Sequence, residues 1–274
     1  MATLSVSAAW NETAAFVARE RRLLFPLAFM LTALPAALLD LVMPPPPAPG
    51  QLPQAGLWLA AVPLTFIAAM IGNIALSVLS LRPGLSVAEA LGRGLRRFPI
   101  LLAVVLLLMI AGALLLFVAA MVAVLVTPGA LDAAKSGVPT PATGTAALLM
   151  LAIVLPALLY VGARLTVLTP LAANEDSGPL AMIGRSWRLT AGYVWRLIGF
   201  LVLAGLLVGV LSTAVQSVAG LLSALILGSI APGSPGALLV ILVMLVVNTV
   251  IGAYLAVLIA RIYAQLAERT GSET

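Results

Sequence analysis

The chain has 274 residues, is 63% hydrophobic and only 8% charged, and has a mean hydropathy of +1.20. Soluble domains carry about 25% charged residues, so a soluble globular enzyme is excluded. With 14 basic and 9 acidic residues, no His and no Cys, the chain lacks disulfides, thiolate metal sites, a Cys nucleophile and the commonest general base. The net charge of +5 in so apolar a chain points to membrane-flanking loops rather than to nucleic acid.

In chain order, an N-terminal stretch Ser5–Arg22 carries Arg19, Arg21 and Arg22 and leads into an apolar span, Leu23–Val42, ended by Pro44–Pro47. Arg19–Arg22 ahead of Ala33, Ala36 and Ala37 also has the look of a signal peptide, but the long leader before them argues against cleavage. A second span, Gly56–Leu81, stops at Pro83-Gly84. No charge lies between Arg97 and Asp132, and about 20 apolar residues cross a bilayer, so Phe98–Thr127 is a third span. A fourth lies at Ala146–Thr169. Leu197–Ala260 is again free of charge and too long for one crossing at about 1.5 Å per residue. The turn formers of Gly228–Gly236 fold it back into Leu197–Leu227 and Ala237–Leu266. The prediction is an all-α, polytopic integral membrane protein of six transmembrane helices, one membrane domain over residues 1–274. All thirteen Arg fall on one side of that layout and Lys135 on the other, which places both termini in the cytoplasm. One Lys against thirteen Arg, with abundant Ala, fits a bacterial inner-membrane protein.

The loops on the Arg-rich side read as amphipathic elbows lying in the interface. In Pro179–Arg196, a wheel puts Arg185, Arg188 and Arg196 opposite Leu180, Ile183, Trp187, Ala191 and Val194. In Ser86–Phe98, Glu89, Arg93, Arg96 and Arg97 oppose Val87, Leu91, Leu95 and Phe98, and Ser86 with Glu89 makes a capping-box pair. Gly92-Arg93-Gly94-Leu95-Arg96 matches Gly184-Arg185-Ser186-Trp187-Arg188, and the N-terminal stretch has Arg19 and Arg22 three apart. Three parallel repeats of elbow plus hairpin follow, near 1–82, 83–168 and 176–266, unless shared composition alone accounts for the likeness.

Candidate chemistry is sparse. Glu175-Asp176, the only adjacent acidic pair, is expected to complement a helix dipole and solvate its loop. Arg164, inside the fourth span, is expected to snorkel to headgroups or pair with Glu175. Asn73, Gln216 and Asn248 are uncharged and suited to tying helices together. Small residues recur every four positions at Gly205, Gly209, Thr213 and Ser217, and at Asn248, Gly252, Ala256 and Ala260, and both ladders are expected to face protein. Trp187 and Trp195 anchor the second elbow at the interface.

Arg164-Leu165, Thr169-Pro170, Glu175, Gly178-Pro179, Gly184-Arg185-Ser186-Trp187-Arg188-Leu189-Thr190, Gly192 and Trp195-Arg196 resemble the central motif of the glycerophosphodiester phosphodiesterase membrane-domain family. The resemblance covers about 50 residues at motif strength and implies the fold and the membrane. Asp176 and Ser177 stand in the gap before Gly178-Pro179. The phosphodiesterase barrel that some relatives carry has no room here, and its His residues are missing. The expectation is therefore a non-enzymatic protein with no cofactor. Its candidate lipid-headgroup residues are Arg164, Glu175, Arg185, Arg188, Trp187, Trp195 and Arg196. Membrane lipids, anionic ones above all, are the expected partners, with a membrane or cytoplasmic protein as the other candidate. Transport of an amphiphilic molecule through a cleft near Arg164, Asn73 and Asn248 is the alternative.

Overall fold

The computed structural model describes residues 5–44, 55–136, 140–228 and 234–272, and every regular element among them is a helix. In hydrocarbon the backbone has no partner but itself, and a helix meets that demand within one segment. α1 (Val6–Ala28) passes through a π segment, Phe29–Ala33, into α2 (Leu34–Val42). α3 (Trp58–Leu81) and α4 (Val87–Val126) form a hairpin, α5 (Ala130–Ser136) is a short helix in the following connection, and α6 (Pro141–Leu165) returns. α7 (Leu168–Asn174) and α8 (Pro179–Leu189) are short, and α9 (Val194–Leu227) and α10 (Pro235–Ser272) make the last hairpin. Six stretches are long and apolar enough to cross a membrane: Ser7–Val42, Trp58–Leu81, Val87–Val126, Pro141–Asn174, Val194–Leu227 and Pro235–Arg269. The expected stops at Pro45–Pro47 and at 229–233 lie outside the described residues.

The elbows differ from the expectation. Ser86–Phe98 is the start of the 40-residue α4, not a separate interfacial helix. Its capping box is formed, with Glu89 Oε2 accepting from Ser86 N at 2.8 Å and Ser86 Oγ accepting from Glu89 N at 3.3 Å. Ser5–Arg22 likewise runs into the first span without a break. The path bends nonetheless. Trp10 packs its ring 5.9 Å from that of Tyr254, while Thr32 lies beside Gly252, two residues away on α10. A straight helix would hold residues 10 and 32 roughly 33 Å apart. Pro26 and the π segment are the sites where such a bend is absorbed. Before the bend α1 lies against α10, where Ser5 N donates to Gln265 Oε1, eleven residues from Tyr254.

The densest packing lies where the Arg-rich ends meet. Two turns near the end of α3, from Ile74 to Ser80, are buried all round, against α4, α7 and α10. Two close approaches fix α3 at this centre. A Cβ on Gly94 would come 2.9 Å from Ile71 O, and one on Gly72 would come 2.8 Å from Leu31 Cβ. At the other end Phe117, Leu125, Leu225 and Ile226 are exposed, as lipid-facing residues are. The fifth-span ladder corrects the expectation: Gly205, Gly209, Thr213 and Ser217 are exposed, and no atom approaches a Cβ placed on either glycine. The sixth-span ladder does face protein at Ala256 and Ala260, with Gly252 beside Thr32, while Asn248 is exposed.

Candidate functional site

The Gly178-Pro179 step starts α8 with an extended glycine and a proline in the first turn, where the missing N–H costs nothing. Gly192, at φ +82°, turns the chain before α9. α8 therefore ends at Leu189, and the predicted single elbow Pro179–Arg196 is two elements, with Trp195 and Arg196 on the fifth span. The face of α8 that packs on the protein is Met182, Ser186 and Leu189, with Ile183 of the predicted apolar stripe partly packed beside it, while Leu180 and Trp187 of that stripe face out. Leu180 is 74% exposed and Trp187 37%.

Ser186 is fully buried and docks α8 onto α6 by donating Oγ–H to the carbonyl of Arg164 at 2.6 Å. That carbonyl belongs to the last turn of α6, which has no helical donor of its own. Thr190, also buried, donates to the Ser186 carbonyl at 2.9 Å and secures the end of α8. The Arg164 guanidinium lies over two rings, 5.4 Å from the Tyr160 centroid and 5.2 Å from that of Trp187. Its Nη1 donates to the Trp187 carbonyl at 3.1 Å and its Nη2 to Tyr160 Oη at 3.1 Å. It makes no ion pair with Glu175, which is held by Arg185 instead, so of the two expected alternatives for Arg164 the pairing is the one removed. The cation is held by ring faces and a carbonyl, which suits a guanidinium at the edge of a membrane.

A second cluster occupies the opposite side of α8, where Arg185 Nε meets Glu175 Oε1 at 3.5 Å. Tyr263 of α10, 2% exposed, donates to the same oxygen at 3.1 Å and accepts from Asn174 Nδ2 at 3.3 Å. Asp176 pairs with Arg97 and, at 3.7 Å, with Arg93. Arg93 Nε also donates to the Ala173 carbonyl at 2.6 Å, and Arg82 Nη2 to the Asn174 carbonyl at 3.2 Å. Glu175-Asp176 thus does more than solvate a loop. It straps the α7–α8 connection to α4 and α10.

The family described as a domain of unknown function, DUF7847, matches residues 13–266, nearly the whole chain. The chain belongs to that family. Neither a curated protein nor a solved structure matches it.

Of the residues singled out in the sequence, the structure brings Arg164 and Trp187 together in one cluster and Glu175 and Arg185 in the other. Arg188 is exposed on α8. Trp195 is 83% exposed, and Arg196 shares the ring of Tyr193 with Arg269 at 5.9 and 5.1 Å. Tyr160, Ser186, Thr190, Asn174 and Tyr263 went unsingled in the sequence. Ser186 and Thr190 sit i, i+4 inside the motif string, the one signal that pointed to them. A cavity of about 570 Å³ between α3, α4 and α6 is lined by Asn73 and Thr169 among apolar residues, and Arg164 and Asn248 are not in its lining. Among the described residues no group of three His, Cys, Asp or Glu side chains is placed to hold a metal.

Proposed function

We propose that the chain is a non-enzymatic, multi-pass protein of the bacterial cytoplasmic membrane that holds an anionic lipid headgroup on the free face of α8. One observation carries this reading: the face of α8 turned away from the protein bears Leu180, Trp187 and Arg188, and Arg164 lies beside it with no carboxylate partner among the described residues. Leucine and indole seat in the interface while guanidinium groups reach phosphate. Near an anionic leaflet each such cation contributes about 1 kcal/mol. The resemblance to the glycerophosphodiester phosphodiesterase membrane-domain family supports the same place. Its motif residues Arg164, Ser186, Trp187 and Thr190 are the ones that build the α6–α8 junction.

Arg185 leaves the proposed binding set, since Glu175 already holds it. Arg188→Gln and Arg164→Gln should therefore lose phosphatidylglycerol co-purified with the protein, measured by mass spectrometry, while Arg185→Gln keeps it. Arg188→Lys should retain less than the parent wherever the contact is bidentate. Equal retention by all four variants would reduce these arginines to a topology signal.

Both termini on the cytoplasmic side follows from the Arg distribution. A Cys at Lys135 should label from outside intact cells, and one at Gly92 should not. Gly92 is chosen because a Cβ there meets open space. Labelling at Gly92 from outside would overturn the orientation.

Transport of an amphiphile is the second reading, favoured by the cavity lined by Asn73. It asks for a polar path, and Asn73, Arg164 and Asn248 do not converge on one. Transbilayer movement of a fluorescent phosphatidylglycerol in protein-bearing vesicles, lost in Asn73→Leu, would favour it over headgroup binding.

A further inference from the structure

A second groove, of about 610 Å³, lies between α9 and α10 and is lined in part by α1. Its walls are Phe200, Leu207 and Leu211 on α9 and Val250, Tyr254 and Leu258 on α10, and Ser7, Trp10 and Asn11 of α1 complete the lining. We infer that this groove seats one acyl chain of a phospholipid in the leaflet that carries α1, with its polar end at Asn11, Ser7 and Arg196. This site is distinct from the α8 face and does not depend on it.

Three observations select that occupant. First, the groove lies between two helices apolar enough to cross a membrane, so hydrocarbon is what stands against it. Second, its length fits one leaflet. From Phe200 to Leu211 is eleven helical steps of about 1.5 Å, roughly 17 Å, against about 15 Å for half of a hydrocarbon core about 30 Å thick. A membrane-spanning peptide would need twice that, and a compact ligand would leave most of it empty. Third, apart from Tyr254 the polar lining comes from α1 alone. Trp10, Ser7 and Asn11 come from the helix that lies against α10 between Tyr254 and Gln265, toward the Arg-rich end of the bundle. Arg196 stands four and seven residues before Phe200 and Leu203, hence on the same face of α9 and one turn beyond the groove. It is exposed, lies over Tyr193 and has no carboxylate contact among the described residues. An alkyl chain with an anionic head matches that layout end for end. Its volume falls within the range of about 300–1,000 Å³ usual for small-molecule sites.

Trp10 in the wall supplies the reporter. A protein with Trp58, Trp187 and Trp195 replaced by Phe is placed in phosphatidylcholine vesicles holding rising fractions of phosphatidylglycerol brominated along its acyl chains. Quenching of Trp10 should saturate well below the bulk fraction of brominated lipid. Filling the groove with Ala204→Leu and Val208→Phe should turn saturation into a linear dependence on that fraction. Arg196→Gln should lower the preference for brominated phosphatidylglycerol over brominated phosphatidylcholine about fivefold, the factor equivalent to about 1 kcal/mol for one cation near an anionic surface. Arg188→Gln should leave Trp10 quenching unchanged, so failure of the α8 site and failure of this one read out separately. Linear quenching in the unfilled protein, equal for both headgroups, would overturn the inference and leave only ordinary surrounding lipid. Where the triple Phe replacement does not fold, native mass spectrometry of the otherwise unaltered chain decides. The filling pair should then retain one phospholipid fewer, and an unchanged count would overturn the site.

Discussion

Gly94→Leu is expected to abolish or sharply lower the thermal transition of the protein in detergent, while Gly209→Leu leaves it unchanged. The sequence puts Gly94 in an Arg-rich elbow and Gly209 in a small-residue ladder expected to face protein, so by sequence Gly209 is the packed one. The structure reverses that order. A Cβ on Gly94 would come 2.9 Å from the backbone oxygen of Ile71 and 3.2 Å from its Cγ2, so even alanine requires α3 and α4 to move apart. The atom in the way is main chain and cannot rotate aside. Overpacking of this kind costs about 1–3 kcal/mol, and a leucine against backbone belongs at the upper end or beyond. The position also lies at the hairpin that carries α3 into the centre of the bundle, where Ala75, Leu76 and Val78 are buried. Gly209 is exposed and meets nothing within 4 Å. Leucine there adds helix propensity and surface already suited to lipid. A melting temperature that falls as far for Gly209→Leu as for Gly94→Leu would contradict the assignment of packed and lipid-facing sides.

The contrast between these glycines also explains what could be read from residues alone. Span number was legible because charge is nearly absent from hydrocarbon, so the gaps from Arg97 to Asp132 and from Arg196 to Arg261 mark their own limits. Packing faces were legible only in part. An apolar stripe read as lying in the interface does not say which of its residues meet lipid and which meet protein, and Val87, Leu91 and Phe98 of the first elbow do pack on the core. In a soluble helix the apolar stripe is the buried one. In a bilayer the apolar stripe is content with lipid, and close contact falls to small and hydroxyl residues. Leu95, on the predicted apolar face, is 59% exposed, whereas Ala90 and Gly94, assigned to no face, are buried. On α8 likewise Trp187 and Leu180 face out while the hydroxyl residue Ser186 makes the close contact. The partners of Arg164 and Glu175 lay beyond reach for a different reason. Arg164 meets Trp187 23 residues on, and Glu175 meets Tyr263 88 residues on, and no local spacing encodes either contact.

The strap built on Glu175 and Asp176 should prove stabilising, and its two halves should respond differently to salt. Asp176 is 79% exposed at its side chain and holds Arg97 and Arg93, so most of its attraction acts through solvent. Such a pair contributes about 0–1 kcal/mol and is screened beyond a Debye length of about 10 Å at 0.1 M salt. Glu175 accepts a hydrogen bond from Tyr263, whose ring and hydroxyl are enclosed by α7 and α10. Hydrogen bonds to a charged group are worth about 1.5–3 kcal/mol, and removing the acceptor strands a buried donor. Asp176→Asn should therefore lower the melting temperature slightly at low salt and not at all at high salt. Glu175→Ala should lower it further, by an amount that salt leaves in place. Tyr263→Phe tests the same bond from the other side. It should lose less than Glu175→Ala, because Glu175 keeps Arg185 once the hydroxyl is gone. The double variant Glu175→Ala with Tyr263→Phe should then be less destabilised than the sum of the two singles, as expected for residues in direct contact. Strict additivity of those two changes, or a loss in Glu175→Ala that disappears in high salt, would show that the loop is tethered by surface charge alone.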